Sequence, residues 1–370
     1  MNVLSHTSMT LKVPGKLMVA GEFAVLEPHH HLVVMAVDRF VYANIESTDM
    51  NLLSLQDYQL HDLFWKVEKG RVSIDSTDPR TKFVEDAMSM ALTYLRENSF
   101  VPAPFKLSIK SELDDESGVK YGLGSSAAVV TAVISSVLNH VMAEAPSKEL
   151  VFKLAAMSHV KTQGNGSGAD VAASAYGGFL QYTSFQAEWL NEQLEKAETV
   201  SGLLEDEWIY FSSKAITMPE EIYVCIGWTG KPASTKKLVD EIVKLKSDAP
   251  EVYGKFLSDS ETAVDEFLTG MNQRDIPKLL KGVKMNRTAL AQIGGYAGVE
   301  IETRLLGKLC DLAEEHGGAG KPSGAGGGDC GIAFMPSKGQ AERLIEAWTA
   351  AGIKPLSIHP YDCGAEIIGN

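Results

Sequence analysis

The spacing of hydrophobic and polar residues predicts a chain that alternates between strands and helices. Residues 105–110 alternate strictly between apolar and polar side chains, as expected for a strand with one buried face. Residues 81–97 carry apolar side chains at four-residue spacing, which predicts an amphipathic helix. The helix that follows residue 124 is apolar around much of its circumference, so we expect it at the centre of its domain.

The same patterns predict the other elements and a division into two domains. Pro14, Gly15 and Lys16 are expected to form a turn between two strands, and residues 61–75 a hairpin around Lys69 and Gly70. A change in composition after residue 185 favours a boundary near residue 215, giving domains at 1–215 and 216–370. The order of elements favours an α+β fold. Strands are expected at 10–14, 17–26, 41–47, 179–184, 221–228, 330–334 and 353–359, and helices at 147–164, 169–175, within 186–207, and at 232–247, 250–270, 275–293, 300–316 and 337–351.

Composition excludes several classes of protein. With 370 residues and 45% hydrophobic content, the chain can bury a large core. It has no apolar run approaching a membrane span, no apolar signal-peptide core and four scattered cysteines, so we expect a reduced, cytoplasmic protein. The net charge of −14 argues against nucleic-acid and acidic-membrane partners. Any anion site must therefore concentrate its lysines locally.

A glycine-rich segment before the apolar helix is the first candidate for chemistry. Gly122 and Gly124 are followed directly by Ser125 and Ser126. Glycine allows close approach of the backbone to a ligand, and the free N–H groups of a helix start favour an anion, most often a phosphate. The alternative is a serine-capped helix after a tight turn, without a ligand.

Two further glycine-rich loops and two charged residues bear on this choice. Residues 164–168 precede a short helix that has Asp170 in its first turn, and residues 316–329 form the densest glycine loop. Asp170 alone could merely complement the helix dipole. Glu22 lies within a predicted strand, where it either faces water at an edge or is buried and needs a partner.

Taken in order, the loops resemble the motifs of the GHMP kinases, the galactokinase, homoserine kinase, mevalonate kinase and phosphomevalonate kinase superfamily. The first motif corresponds to Pro14, Gly15 and Lys16 followed by residues 21–25. The second is GLGSSAA at 122–128, and the third is KPSGAGGGD at 321–329. The resemblance implies an N-terminal domain like ribosomal protein S5 domain 2, a ferredoxin-like C-terminal domain and an active site between them.

Within that superfamily the chain is most similar to the bacterial phosphomevalonate kinases. Residues 120–121, 163–170, 227–235 and 328–331 carry this similarity. It implies ATP-dependent phosphorylation of (R)-5-phosphomevalonate to 5-diphosphomevalonate with release of ADP, supported by Mg²⁺, in the mevalonate pathway of isoprenoid biosynthesis. A monomer or a homodimer is compatible with it. The alternatives are a mevalonate kinase, a diphosphomevalonate decarboxylase, whose family has a less glycine-dense third loop, or a non-catalytic ligand sensor on the same fold.

The resemblance also assigns roles to individual residues. Lys16 and Asp170 become the catalytic pair, and the hydroxyl of Ser126 is directed at Mg²⁺. The glutamate that serves the metal in mevalonate kinases is missing, because its position falls near His159. Candidates for ATP phosphates are Lys120, Gly122, Leu123, Gly124, Ser125, Ser126 and Ala127, with Lys120 also a candidate for the substrate phosphate. Candidates for substrate binding are Lys16, Glu22, Ser167, Asp170, Ser234, Ser323, Gly324, Ala325 and Gly326.

The acceptor changes what the catalytic pair is expected to do. A phosphate monoester has a second pKa of about 6, so its oxygen needs little deprotonation at neutral pH. The harder step is to bring two anions together. We therefore expect Lys16 to neutralise charge in the transition state and Asp170 to orient Lys16 or a metal-bound water, with base catalysis secondary.

Overall fold

A computed structural model describes residues 8–115, 118–231 and 235–369, and it places them in two β-sheets with helices packed against each. The α+β class predicted from the sequence is confirmed. The first sheet of the described residues runs in the order β13-β1-β2-β6-β3-β4-β5, with β7 and β8 joined to it through β2. Its strands are β1 (Ser8–Ala20), β2 (His31–Ser47), β3 (Leu52–Leu55), β4 (Leu60–Glu68), β5 (Arg71–Ile74), β6 (Phe105–Ser111), β7 (Phe179–Thr183), β8 (Ser212–Ile216) and β13 (Glu366–Gly369).

Helices from the first half of the chain cover this sheet. The central helix packs against β1 and β2 and against three other helices, and its residues Val130, Val133 and Val137 are fully buried. Its predicted place at the centre of the domain is therefore correct. The helices are α1 (Lys82–Glu97), α2 (Ser125–Val141), α3 (Lys148–Gln163), α4 (Ala169–Tyr176), α5 (Ala187–Lys196) and α6 (Val200–Glu205).

The second sheet and the remaining helices come from the C-terminal part of the chain. The order of the four strands in the described residues is β10-β11-β9-β12, and all neighbours are antiparallel. The strands are β9 (Tyr223–Trp228), β10 (Ala319–Pro322), β11 (Cys330–Met335) and β12 (Lys354–Leu356). The helices are α7 (Thr235–Asp248), α8 (Pro250–Gln273), α9 (Ile276–Ala297), α10 (Arg304–Glu315) and α11 (Lys338–Ala350).

The prediction of a turn at residues 14–16 is wrong. β1 is one continuous strand from Ser8 to Ala20. Its register against β2 shifts between Pro14, which is opposite Phe40, and Gly15, which is opposite Val37. Proline and glycine here mark an irregularity within a strand, because the long partner strand supplies pairing on both sides of it.

The sequence patterns did not predict several of the short strands. β10 lies inside the predicted glycine loop, and β3 and β8 are four and five residues long. β13 pairs antiparallel with β1, so the last strand of the C-terminal part of the chain belongs to the first sheet. The predicted division at residue 215 stays a prediction. Within the described residues, no helix combines the length and the hydropathy needed to cross a membrane.

Candidate active site

Lys16 lies against the glycine loop that precedes α2. Its backbone N–H donates to Leu123 O at 2.9 Å, and its ammonium Nζ donates to Gly122 O at 3.0 Å. Both bonds follow the register shift in β1, which brings this half-buried lysine to the loop. A lysine ammonium has three protons, so this contact leaves two for other acceptors.

Gly124 brings the predicted catalytic pair together. A Cβ placed on this glycine would lie 3.1 Å from Cε of Lys16 and 3.4 Å from Cβ of Asp170. The φ of Gly124 is +77°, a left-handed conformation that side chains rarely adopt. Lys16 and Asp170, which are far apart in the sequence, therefore converge on one glycine.

The first turn of α2 has no capping side chain from its N-cap residue. Gly124 occupies the N-cap, while Ser125 and Ser126 are the first two residues of the helix itself. The serine-capped alternative is therefore not what this helix shows. The N–H groups of the first turn have no partner within a helix, and their dipoles favour an anion in front of them.

Ser126 has a partner that the sequence did not reveal. Its Oγ lies 3.1 Å from Nε2 of His159, which is 2% exposed and packs beside the ring of Phe83 at 5.6 Å between centroids. The sequence marked His159 only as a position where a glutamate is missing. Its place on the buried side of α3, facing α2, is the feature that could have identified it.

Asp170 stands in the first turn of α4, behind a second glycine in the left-handed region. Gly168 has φ +75°, and a Cβ there would lie 2.2 Å from Cε1 of Phe185. The Asp170 Oδ1 accepts from the N–H of Val171 at 2.9 Å. Ser174 Oγ donates to Pro14 O at 2.8 Å, which docks α4 on the strand that carries Lys16.

Ser167 is held at the start of the same helix. Tyr182 donates its phenolic proton to Ser167 O at 2.6 Å, and the Ser167 hydroxyl oxygen accepts weakly from Ala169 N at 3.4 Å. Burial raises the pKa of Tyr182 well above its usual value, and the negative charge of Asp170 raises it further. Tyr182 therefore stays a neutral donor, and the Ser167 hydroxyl keeps its own proton for a ligand.

Glu22 is buried, and the alternative of a water-facing strand edge is wrong. It lies in a turn beyond the end of β1, with 4% of its surface exposed, so its predicted place within a strand is also wrong. Its Oε1 forms an ion pair with Nζ of Lys321 and accepts from Gly324 N at 3.3 Å. The first and third motifs therefore meet through this carboxylate.

The third glycine loop directs several of its donors to the protein itself. Ser323 donates its hydroxyl proton to Met18 O at 2.9 Å, and the N–H of Gly324 is directed at Glu22. Ala325 is partly buried against the C-terminal helices. A Cβ on Gly326 would lie 2.3 Å from Ile301 O, so this position accepts only glycine without a shift of the backbone. The phosphate contacts predicted for this loop stay predictions.

The end of the third loop touches the second. A Cβ on Gly122 would lie 2.7 Å from Oδ2 of Asp329, and Sγ of Cys330 contacts Tyr121 O at 3.2 Å. Burial and the negative charge of Asp329 both raise the pKa of Cys330, so this thiol is not a nucleophile at neutral pH. Asp329 also accepts from Thr229 through its carbonyl, which closes the loop on β9.

One predicted donor, Lys120, is less constrained by these contacts. Lys120 is exposed and forms an isolated backbone bridge with Asp114. Burial raises the pKa of the Asp114 carboxyl, while the positive charge of Lys120 opposes this rise. Lys120 therefore projects from the edge of the loop. Ser234 lies outside the described residues.

The donors around the loop fit a magnesium ion that is held mostly by phosphates. Between residues 8 and 369, excluding 116–117 and 232–234, no group of three or more His, Cys, Asp or Glu could hold a metal. Mg²⁺ keeps several waters and is commonly bound by one or two protein oxygens plus substrate phosphates. The Ser126 hydroxyl and the Asp170 carboxylate are oxygen donors of that kind.

Comparisons with known proteins identify the family of this chain. The family model for GHMP kinases N terminal domain matches residues 84–178, and that for GHMP kinases C terminal matches residues 275–354. A phosphomevalonate kinase of Streptomyces sp. (strain CL190) is 31% identical over 94% of this chain and 96% of its own.

Solved structures give the same result. A Lin0012 protein from Listeria innocua is 37% identical, with a TM-score of 0.92 over 98% of this chain and 100% of that one. Phosphomevalonate kinase of Streptococcus pneumoniae, in complex with phosphomevalonate and AMPPNP, is 25% identical, with a TM-score of 0.82 over 96% of this chain and 100% of that one. The resemblance deduced from the three glycine loops is confirmed, and the chain belongs to the GHMP kinase family.

Proposed function

We propose that this protein transfers the γ-phosphoryl group of ATP to the phosphate of (R)-5-phosphomevalonate, forming 5-diphosphomevalonate and ADP. The observation that carries the proposal is the convergence of Lys16 and Asp170 on Gly124, at the uncapped start of α2. The Streptomyces relative and the Streptococcus pneumoniae structure, both phosphomevalonate kinases, support this choice of substrate.

The start of α2 would hold the phosphates of ATP. The N–H groups of its first turn supply donors, and the left-handed glycines at 122 and 124 leave room for close approach of the phosphates. A Mg²⁺ ion bound with ATP would supply charge neutralisation, with the Ser126 hydroxyl and the Asp170 carboxylate as its protein oxygens. Most of its other ligands would be phosphate oxygens and water.

Lys16 would reduce the repulsion between the two phosphates. An oxygen of the substrate phosphate forms a bond to the γ-phosphorus while the bond from that phosphorus to the β-bridging oxygen breaks and ADP leaves. The ammonium of Lys16 is anchored on Gly122 O and has two further protons to donate to phosphate oxygens. It therefore acts as a fixed positive charge where negative charge accumulates.

Asp170 would keep the ammonium of Lys16 oriented towards the phosphates. It lies next to the lysine, since both side chains border Gly124, and its carboxylate is fixed by the N–H of Val171. The acceptor phosphate is already largely ionised at neutral pH, so removal of a proton is a small part of the barrier. Ser167 would donate to the acceptor phosphate from the same helix start, with Lys120 at the rim.

A comparison of two acceptors tests the proposed reaction. With ATP and Mg²⁺, we expect ADP to form with phosphomevalonate at a kcat/KM at least about 10²-fold higher than with mevalonate. Mevalonate has no phosphate, so the donors that would bind the acceptor phosphate are left without an acceptor. A coupled ADP assay, run with and without Mg²⁺, measures this. A higher kcat/KM with mevalonate would show a mevalonate kinase, and binding of ATP without turnover of either acceptor would indicate a ligand sensor.

His159 is expected to strengthen the binding of Mg²⁺ by orienting the Ser126 hydroxyl. His159→Ala removes the partner that orients the Ser126 hydroxyl, and loss of such an outer contact typically weakens a metal site about 10- to 100-fold. The measurement is the Mg²⁺ concentration that gives half-maximal activity at saturating ATP.

His140 offers a matched control for this variant. It too is buried, and its Nε2 lies 3.4 Å from Ser47 Oγ, away from the glycine loop. His140→Ala should lower the melting temperature comparably but leave the Mg²⁺ dependence unchanged. Equal Mg²⁺ dependence in both variants would contradict the role given to His159.

The remaining parts of the proposal concern organisation and location. We infer an S5 domain 2-like unit at 1–215 and a ferredoxin-like unit at 216–370, with the active site between them. The net charge of −14 argues against nucleic-acid and membrane partners. We also infer a monomer or homodimer in the cytoplasm, where the four scattered cysteines would stay reduced. Light scattering of the purified protein measures the oligomeric state.

A further inference from the structure

A buried ion pair joins the first and third motifs. Lys321, on β10, is completely buried, and its Nζ contacts both Oε1 of Glu22 and the carbonyl of Pro322. Glu22 is 4% exposed and follows the strand that carries Lys16. We call Glu22 and Lys321 the interloop ion pair.

The interloop ion pair lies where the two halves of the chain interlock. Next to Glu22, Phe23 and Ala24 are packed into the apolar cluster formed by α7, α8 and α9. On the other side, Ser323 donates to Met18 O, which is part of β1. The first motif thus reaches into the C-terminal helices, and the third loop reaches back to the strand of the catalytic lysine.

Stability alone is a weak reason for such a pair. Removing two charges from water costs free energy that their mutual attraction often only offsets, and apolar replacements of buried pairs are commonly as stable. The pair here is also incompletely bonded, because Glu22 Oε2 is buried without a hydrogen-bond partner among the described residues. The ion pair is better explained by a need to hold the surrounding backbone in one position than by a gain in stability.

The contacts show which geometry the pair fixes. Glu22 Oε1 receives both the ammonium of Lys321 and the N–H of Gly324, so one oxygen holds β10 and the third loop at once. If Lys321 is lost, the carboxylate is buried without its counter-charge and must move towards water. The Gly324 amide then loses its acceptor, which leaves the Ser323 hydroxyl bond to Met18 O as the link between the loop and β1.

We propose that Lys321 is a positioning residue for phosphoryl transfer, which acts through Glu22 to hold the third glycine loop against the strand of Lys16. This inference rests on the proposed function. Since a misplacement of about 1 Å can cost about 10²-fold in rate, the pair matters for catalysis without touching the reacting atoms.

Four variants test the role of Lys321. Lys321→Met is expected to lower kcat/KM for phosphomevalonate by about 10²-fold. Glu22→Met with Lys321→Met removes both charges and the oxygen that accepts from Gly324 N, so it should recover the melting temperature but not the activity. Lys321→Arg keeps the positive charge, but the larger side chain does not fit the buried position. Its kcat/KM should lie between those of Lys321→Met and the unmodified protein. Lys281→Met, which breaks the exposed ion pair with Glu266, should leave activity unchanged.

Hydrogen exchange gives a readout that does not depend on the substrate. Amides of residues 323–327 should exchange faster in Lys321→Met and in the double variant than in the unmodified protein and Lys281→Met. If Lys321→Met does not fold, both kcat/KM and hydrogen exchange are measured on the double variant.

Two results would overturn the inference. Native activity in the double variant would show that the pair serves stability only, and unchanged protection of the loop would show that it does not hold the loop. If the unmodified protein does not convert phosphomevalonate, the proposed function fails, while the exchange measurement still decides whether Lys321 positions the loop.

Discussion

Replacing Lys16 by methionine is expected to lower kcat for phosphoryl transfer by about 10³-fold or more, the largest effect of any single substitution in the site. Methionine fills a similar volume but removes the positive charge that is anchored on Gly122 O. Two anions then approach each other without the compensating cation. The measurement is steady-state kcat with phosphomevalonate at saturating ATP and Mg²⁺.

Lys110→Met is the matched control for this variant. Lys110 lies on β6 of the same sheet and is exposed, so its loss removes a charge without touching the glycine loop. We expect its kcat to equal that of the unmodified protein. If Lys16→Met retained more than about a tenth of kcat while keeping its melting temperature, the electrostatic role of Lys16 would be wrong.

Asp170→Asn is expected to lower kcat by about 10²- to 10⁴-fold, the second largest effect. Asparagine keeps the oxygen that accepts from Val171 N but loses the negative charge next to Lys16. Lys16 should remain in place yet be less well fixed towards the phosphates. Single-turnover measurements with saturating ATP separate this loss in the chemical step from effects on binding.

The size of the loss distinguishes two roles of Asp170. A fall larger than about 10⁴-fold in a folded variant that still binds both substrates would favour an essential base over an orienting carboxylate. Asp240→Asn, at an exposed position of α7, controls for the loss of one negative charge. It should leave both kcat and the KM for phosphomevalonate unchanged.

The parts of the fold that depend on local patterns were predictable. The apolar periodicity of 81–97 predicted the helix found at Lys82–Glu97, and the helix predicted at 147–164 is found as α3, with Ser147 as its cap. The hairpin around Lys69 and Gly70 also formed where expected. In each case the signal lies within one helix or one hairpin, so no distant partner is needed to produce it.

The parts that depend on distant partners were not predictable. The interloop ion pair joins residues 299 positions apart, and Ser126 meets His159 across two helices. A sequence shows a glutamate or a histidine but not what its fold places beside it. Pro14 and Gly15 were wrongly predicted to form a turn for the same reason. Only the pairing with β2, which is distant in sequence, makes them part of one strand.

The pairing of β13 with β1 has a consequence for synthesis of the protein. β1 leaves the ribosome before every other element described above, whereas residues 366–369 are made after all the other strands and helices. One edge of the strand that carries Lys16 therefore stays open while the chain grows. Such an edge can pair wrongly with other chains, so the nascent enzyme is most exposed to aggregation until translation reaches this strand.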